Sequence, residues 1–503
     1  MRSVHAEHPC PAPPASFNMA AHVLAHAPRQ PEKSAMQIVR ATGAERWSYA
    51  RLEAAVRGAG TGFLRAGLQP GDRVLLRLGN TPEFPVAFLG AIAVGLVPVP
   101  TSSQLTAPEI TRMAAEIAPA LVVAGEGIAL PDHPAPVIDE AALRGFETLE
   151  PAAYAMGAPD RLAYLIYTSG TSGNPRAVMH AHRAIWARQT MYQGWYGLGA
   201  EDRLLHAGAF NWTYTLGTGL MDPWTMGATA LIPGAGVAPD TLGLLLRRFD
   251  ATIFAAAPGV FRQILKHHAT LDLPRLRHGL SAGEALPDTV RAAWMAATGT
   301  PIHEALGMSE CSTFISGAPA HSAPPGTAGY PQDGRHVAVL DPEGNPVERG
   351  TPGVLAVHRD DPGLFLGYWQ QEAETKARFQ GDWFITGDTV QMAADGAILY
   401  LGRDDDMMNA GGYRVSPIEV EAALARHPDA GEVAVIEIRV KADASVIAAC
   451  YTGTATPEVL AAHAQGCLAR YKQPRIFRHV AAIPKNPNGK LNRRALRESW
   501  DEP

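Results

Sequence analysis

The chain has 503 residues, 47% of them apolar and 18% charged, with a formal net charge of −6. Such a length builds a large core and more than one domain, and the acidic balance excludes a general nucleic-acid binder, which needs an excess of Lys and Arg. The cysteines Cys10, Cys311, Cys450 and Cys467 lie far apart with no CxxC pair, so a reduced, cytoplasmic setting is expected and neither a zinc site nor a disulfide framework. No run of 18 apolar residues exists to span a membrane.

In chain order, residues 1–18 are rich in His, Pro and Ala without the apolar region of a secretory signal, and read as a disordered tail. Residues 49–68 carry helical spacing at Leu52, Val56, Phe63 and Leu64, and 73–78 form a strand. The Gly58-Ala59-Gly60-Thr61-Gly62 run resembles a dinucleotide fingerprint, but it falls inside a helix and not after a strand, so it is rejected. A helix at 85–94 and strands at 97–100, 120–123, 162–166, 228–232 and 252–254, with helical segments between them, predict α/β organisation with largely parallel sheets. Beyond Gly329, short strands at 336–340, 354–359 and 397–401 separated by turn signals such as Asp341-Pro342-Glu343-Gly344-Asn345 predict a β-rich subdomain. A charged stretch, Gly402 to Asp406, interrupts the pattern. Helices at 417–427 and 457–469 and strands at 432–440 and 446–452 then predict a small α+β domain. The expected architecture is a tail (1–18), a large N-terminal α/β domain of two subdomains plus the β-rich one (19–404), and a mobile C-terminal domain (405–503). His180/His182 and His267/His268 lack metal-ligand spacing and read as surface or locally bonded histidines.

The strand at 162–166 runs into Tyr167-Thr168-Ser169-Gly170-Thr171-Ser172-Gly173-Asn174-Pro175-Arg176. Small hydroxyl and amide residues after a buried strand can wrap N–H and O–H donors around a polyphosphate, with glycine permitting close approach. Five further motifs follow in order: Ser281-Ala282-Gly283-Glu284-Ala285-Leu286-Pro287; Glu304-Ala305-Leu306-Gly307-Met308-Ser309-Glu310; Trp383-Phe384-Ile385-Thr386-Gly387-Asp388; the stretch from Gly402-Arg403 through Gly411-Gly412-Tyr413-Arg414 to Glu421; and Pro484-Lys485-Asn486-Pro487-Asn488-Gly489-Lys490. Taken singly, Glu310 reads as a solvated helix residue, Asp388 as a turn residue and Arg414 as a surface cation. Six motifs in sequence decide otherwise.

Together they resemble the adenylate-forming superfamily of acyl-CoA synthetases, peptide-synthetase adenylation domains and luciferases, over about residues 30–500. The resemblance implies attack of a carboxylate on the α-phosphorus of ATP, giving an acyl-adenylate and pyrophosphate, then acyl transfer to CoA. It implies that Thr168, Ser169, Gly170, Thr171, Ser172 and Gly173 hold the β- and γ-phosphates. Gly283, Glu284 and Ala285 would line the adenine slot, Ser309 would touch the α-phosphate and Glu310 would bind Mg²⁺. Asp388 would accept from the ribose hydroxyls with Arg403 beside it, and Arg414 would approach the phosphates. Lys490 would stabilise charge at the α-phosphate. Asp405 would be the hinge on which the C-terminal domain turns, bringing Gly411 and Gly412 to the CoA tunnel. The usual Pro-Lys-Gly of the phosphate loop is here Pro175-Arg176-Ala177, which keeps the charge but makes it a planar fork.

The acid pocket is expected from Phe210, Asn211, Trp212, Tyr214 and Gly217, with Gly307, Met308 and Thr313. Relatives specific for acetate carry Trp where this chain has Gly307, so a larger acid is implied. Three flat aromatic rings favour an aromatic, benzoate-like or alicyclic acid; the alternatives are a medium-chain fatty acid, or loading of a separate carrier protein. The implied small molecules are the acid, ATP with Mg²⁺, and CoA. No nucleic acid or membrane span is implied, and a homodimer is left open.

Overall fold

The computed structural model describes residues 1–6, 8, 10–168, 175–403, 406, 408–410, 413–441, 444–468, 470, 472–485 and 491–500. Its largest sheet has nine strands. From one edge these are Tyr330–Pro331, Ser312–Ser316, Ile302–Met308, His278–Ala282, Ile253–Ala256, Arg203–His206, Thr229–Pro233, Ser34–Arg40 and Gly43–Ser48. The interior pairs from Ile302–Met308 to Ser34–Arg40 are parallel, and antiparallel strands close both edges. The inner strands are buried on both faces, which explains their near-continuous apolar runs. A second, wholly parallel sheet orders Val97–Pro100, Arg73–Arg77, Leu121–Ala124 and Val137–Asp139.

The glycine run set aside as a fingerprint lies in the helix Tyr49–Arg65, as expected. Its glycines serve close packing: a Cβ on Gly58 would stand 2.3 Å from Phe146 O, and one on Gly60 2.7 Å from Val94 Cγ1. The β-rich part is a six-stranded antiparallel sheet built on Val337–Leu340, Pro352–His358, Trp383–Met392 and Ile398–Arg403. Its edge strand is Val4–His5, paired with Val337–Leu340. Val4 and His5, within the stretch expected to form a disordered tail, are thus tied to the sheet. Arg2 Nη1 also donates to Pro346 O at 2.9 Å, and Asn18 caps the helix Met19–Val23. The C-terminal part packs the helices Pro417–Leu424 and Pro457–Cys467 on the strands Ala430–Lys441, Ala444–Gly453 and Ile476–His479. His180 and His182 are buried, unlike surface histidines: His180 stacks on Tyr164 at 4.7 Å, and His182 Nδ1 accepts from Met19 N at 3.0 Å. No helix among the described residues is long and apolar enough to cross a membrane.

Candidate functional site

The strands Leu162–Thr168 and Arg176–Ala181 pair antiparallel as a hairpin, with Thr168 opposite Arg176. Ser169, Gly170, Thr171, Ser172 and Gly173 lie outside the described residues, as do Asp405, Gly411, Gly412 and Lys490. Gly367–Tyr368 adds a third strand. Through it the base of the hairpin meets Glu310, because Tyr368 O–H donates to Glu310 Oε1 at 2.8 Å. Arg176 lies 5.4 Å over the Tyr368 ring and forms an ion pair with Glu374 of the helix Glu372–Ala377. The residue that replaces the usual lysine is therefore held by a carboxylate and a ring. Neither Glu374 nor Tyr368 carried a motif signal, since each is positioned by chain more than 190 residues from Arg176. Glu310 is also fixed through its backbone, whose carbonyl accepts from Phe365 N at 2.8 Å. Ser309 directly precedes it, just beyond the strand Ile302–Met308.

Asp388 and Arg403 face each other across the pair Trp383–Met392 and Ile398–Arg403. Arg403 Nη1 is 3.3 Å from Asp388 Oδ1, and Tyr400 O–H donates to the same oxygen at 3.3 Å. Burial raises the Asp388 carboxyl above its ordinary range, with Arg403 and Tyr400 opposing the shift. Arg414 sits on the short strand Tyr413–Val415, paired with Asn409.

The segment Gly283-Glu284-Ala285 leaves the strand His278–Ala282 with Gly283 at φ +97°. Glycine is required there twice over, by the left-handed backbone and because a Cβ would stand 2.5 Å from Trp212 Cζ2. Trp212 thus lies directly over the expected adenine segment. Below it, Leu286 N donates to Glu304 Oε1 at 3.0 Å, and Arg291 Nη2 to Glu304 Oε2 at 2.9 Å.

Of the expected acid-pocket residues, Trp212 and Tyr214 come together and Gly307 pairs with Thr313, while Phe210, Met308 and Gly217 pack elsewhere. Trp212 and Tyr214 meet edge to face at 5.2 Å, and Tyr214 O–H donates to Leu280 O at 3.1 Å. Phe210 is buried against Phe84 at 5.3 Å, and Asn211 is half-buried beside it. Thr313 Oγ1 donates to Met191 Sδ, while Met308 packs with the β-rich core. Gly307 pairs with Thr313, and a Cβ there would stand 2.4 Å from Ser312 O, so the hairpin itself demands this glycine. Gly217 backs onto a group no motif announced. A Cβ on it would stand 2.2 Å from the Arg188 guanidinium, which binds Asp222 bidentately at 2.8 and 2.6 Å. Tyr196 and Thr218 complete that buried network.

The AMP-binding enzyme model matches residues 23–369, and the AMP-binding enzyme C-terminal domain model matches 419–490. A 4-hydroxybenzoate–CoA/benzoate–CoA ligase of Rhodopseudomonas palustris is 32% identical over 90% of this chain and 88% of its own. A 3-hydroxybenzoate–CoA ligase of Aromatoleum sp. is 29% identical over 91% and 92%. Among solved structures, the anthranilate CoA ligase AuaEII in complex with anthranoyl-AMP superposes with a TM-score of 0.87 at 26% identity, covering 97% of this chain and 98% of that one.

Proposed function

The chain belongs to the AMP-binding enzyme family, and from that premise we propose that it is an ATP-dependent carboxylic acid–CoA ligase acting on an aromatic, benzoate-like acid. The observation that carries the reading is Trp212, which meets Tyr214 edge to face and lies against Gly283, so that an aromatic wall stands next to the proposed nucleotide segment. Relatives that ligate benzoate and hydroxybenzoates support the choice of acid.

A free carboxylate is a poor acyl donor because its leaving group would be oxide. Attack on the α-phosphorus of ATP expels pyrophosphate and leaves an acyl-adenylate, from which a thiolate displaces AMP. In this chain Thr168, Ser169, Gly170, Thr171, Ser172 and Gly173 hold the β- and γ-phosphates, Asp388 takes the ribose hydroxyls, and Gly283, Glu284 and Ala285 flank the adenine. Glu310 fits a magnesium ion: it is a hard oxygen donor, aimed by Tyr368, and no group of three or more His, Cys, Asp or Glu able to hold a metal occurs among the described residues. One carboxylate plus phosphate oxygens is a donor set magnesium prefers, so Glu310 would hold the ion, which would screen the charge on the phosphates. Lys490 approaches the α-phosphate during adenylation, and Gly411 and Gly412 line the CoA path afterwards. The enzyme works in the cytoplasm with free acid, ATP and CoA.

The test is ATP–pyrophosphate exchange over aromatic, alicyclic and aliphatic acids, followed by mass detection of CoA thioesters. Exchange with benzoate-type acids at least tenfold faster than with hexanoate, and thioester formed only with CoA present, is the expected result. Exchange confined to aliphatic acids overturns the choice of acid, and no exchange with any acid overturns the activity.

A further inference from the structure

We propose that His206, with Thr215, reads a hydrogen-bonding substituent on the ring of the acid, so that the preferred substrate is a hydroxy- or amino-substituted aromatic acid and not the bare ring. This rests on the aromatic-acid ligase reading above. His206 ends the strand Arg203–His206 and is 3% exposed, yet both its ring nitrogens are buried without a partner among the described residues. Thr215, fully buried, is in the same position, with Oγ1 unpartnered. Buried polar groups are nearly always hydrogen-bonded, and one left over in a native fold calls for an explanation.

The two side chains converge. A Cβ built on Gly208 would stand 2.2 Å from Thr215 Oγ1 and 3.1 Å from His206 Nδ1. The carbonyl of Gly208 is already taken by Asn80 Nδ2 at 2.7 Å, and Asn80 Oδ1 accepts from Phe210 N at 3.1 Å. Asn80 therefore pins the turn that begins the acid-pocket segment without satisfying either orphan. On the other flank, a Cβ on Gly219 would stand 2.8 Å from His206 Cβ, so the histidine is held in place by backbone on two sides. Its ring meets Tyr214 edge to face at 4.3 Å, which ties it to the aromatic wall. His206 shares its sheet face with Leu204, two residues earlier, in the cluster that contains Tyr214 and Leu280.

The chemistry selects the ligand class. A neutral imidazole offers one donor and one acceptor, and a threonine hydroxyl offers both. That pair matches a phenol or an arylamine, each of which gives and takes a hydrogen bond. Burial holds the His206 ring down at about 3, so it stays uncharged at neutral pH. It therefore offers no cation to a second carboxylate, and dicarboxylic acids are disfavoured. A site built to bond a substrate hydroxyl rejects the analogue lacking it, because its own polar groups are then stranded.

The experiment measures kcat/KM for CoA thioester formation with benzoate, the three monohydroxybenzoates and 2-, 3- and 4-aminobenzoate, in the wild-type enzyme and in His206→Leu and Thr215→Val. We expect one substituted acid to exceed benzoate by about 10- to 100-fold, and that ratio to fall toward one in His206→Leu and severalfold in Thr215→Val. Benzoate equal to or better than every substituted acid in the wild type overturns the proposal. So does an equal loss on all acids in both variants, which is the mark of a purely structural role. Wild-type enzyme that forms no aromatic thioester at all overturns the ligase reading itself, a different failure from loss of selectivity.

Discussion

Glu304 stands on the strand Ile302–Met308 with its carboxylate turned to Leu286 N and Arg291, largely withdrawn from water, so that its charged form is penalised. Burial raises it from 4.5 to about 7, with the Leu286 N–H and Arg291 opposing. Because the folded value lies above the unfolded one, the native state binds the extra proton between these limits. Stability should fall as pH rises from about 4.5 to about 7 and level off above. The full effect is at most roughly 3 kcal/mol. Urea unfolding of wild type and Glu304→Gln from pH 5 to 8 checks this: the difference between the two curves should slope across that window and be flat above it. A flat difference throughout would mean that Arg291 keeps Glu304 ionised. The consequence reaches the site, because Leu286 follows the adenine segment and Glu304 is its anchor.

At the scale of elements, the helix Tyr49–Arg65 sets propensity against packing. Alanine for glycine in a helix interior stabilises by about 1 kcal/mol on propensity alone. At Gly58 the new Cβ would meet the backbone carbonyl of Phe146 at 2.3 Å, and backbone cannot swing aside. Gly58→Ala should therefore destabilise by about 1–3 kcal/mol, while Gly145→Ala, which meets nothing within 4 Å, should be neutral or better. Urea midpoints of the two variants test the opposite signs. The same contrast shows what the sequence could disclose. Apolar runs such as 73–78 and 252–254 declared themselves as strands because parallel strands are buried on both faces. Pairing did not, since Met36 lies beside Ala230 at the far side of the sheet and no local pattern encodes a partner that distant. The site divides in the same way. Gly283, Ser309, Glu310 and Asp388 could be proposed from the sequence because phosphate and ribose chemistry repeats in short motifs. Tyr368, Glu374, Arg188 and His206 enter the proposed site through contacts made only after folding, so no spacing announced them. Val4–His5 escaped notice because two residues are too few for a period.

For the whole molecule, the decisive question is whether the part after the proposed boundary at 404/405 moves. Among the described residues, these polar contacts join it to the rest. Arg262 Nη1 meets Glu432 Oε1 at 2.9 Å, where Lys485 also binds at 2.6 Å, and Ser416 Oγ donates to Leu401 O. Both side chains of the Arg262–Glu432 pair are 36% exposed, and an ion pair that open to water holds little. Asp406, by contrast, is bound within the C-terminal part by Arg493 at 3.4 Å and Arg497 at 2.9 Å. Asp406 is therefore anchored to the C-terminal part, where a hinge at the proposed pivot Asp405 would need it. If that unit serves the two half-reactions in turn, variants should separate them in opposite directions. Lys490→Ala should lower adenylation, read by pyrophosphate exchange, by about a hundredfold or more, while thioester formation from a supplied acyl-adenylate stays within a few-fold. Asp405→Pro, which restricts the backbone torsion at the proposed pivot, should do the reverse and slow the thioester step more than adenylation. Parallel losses in both half-reactions for both variants would mean that a single fixed arrangement performs the whole reaction.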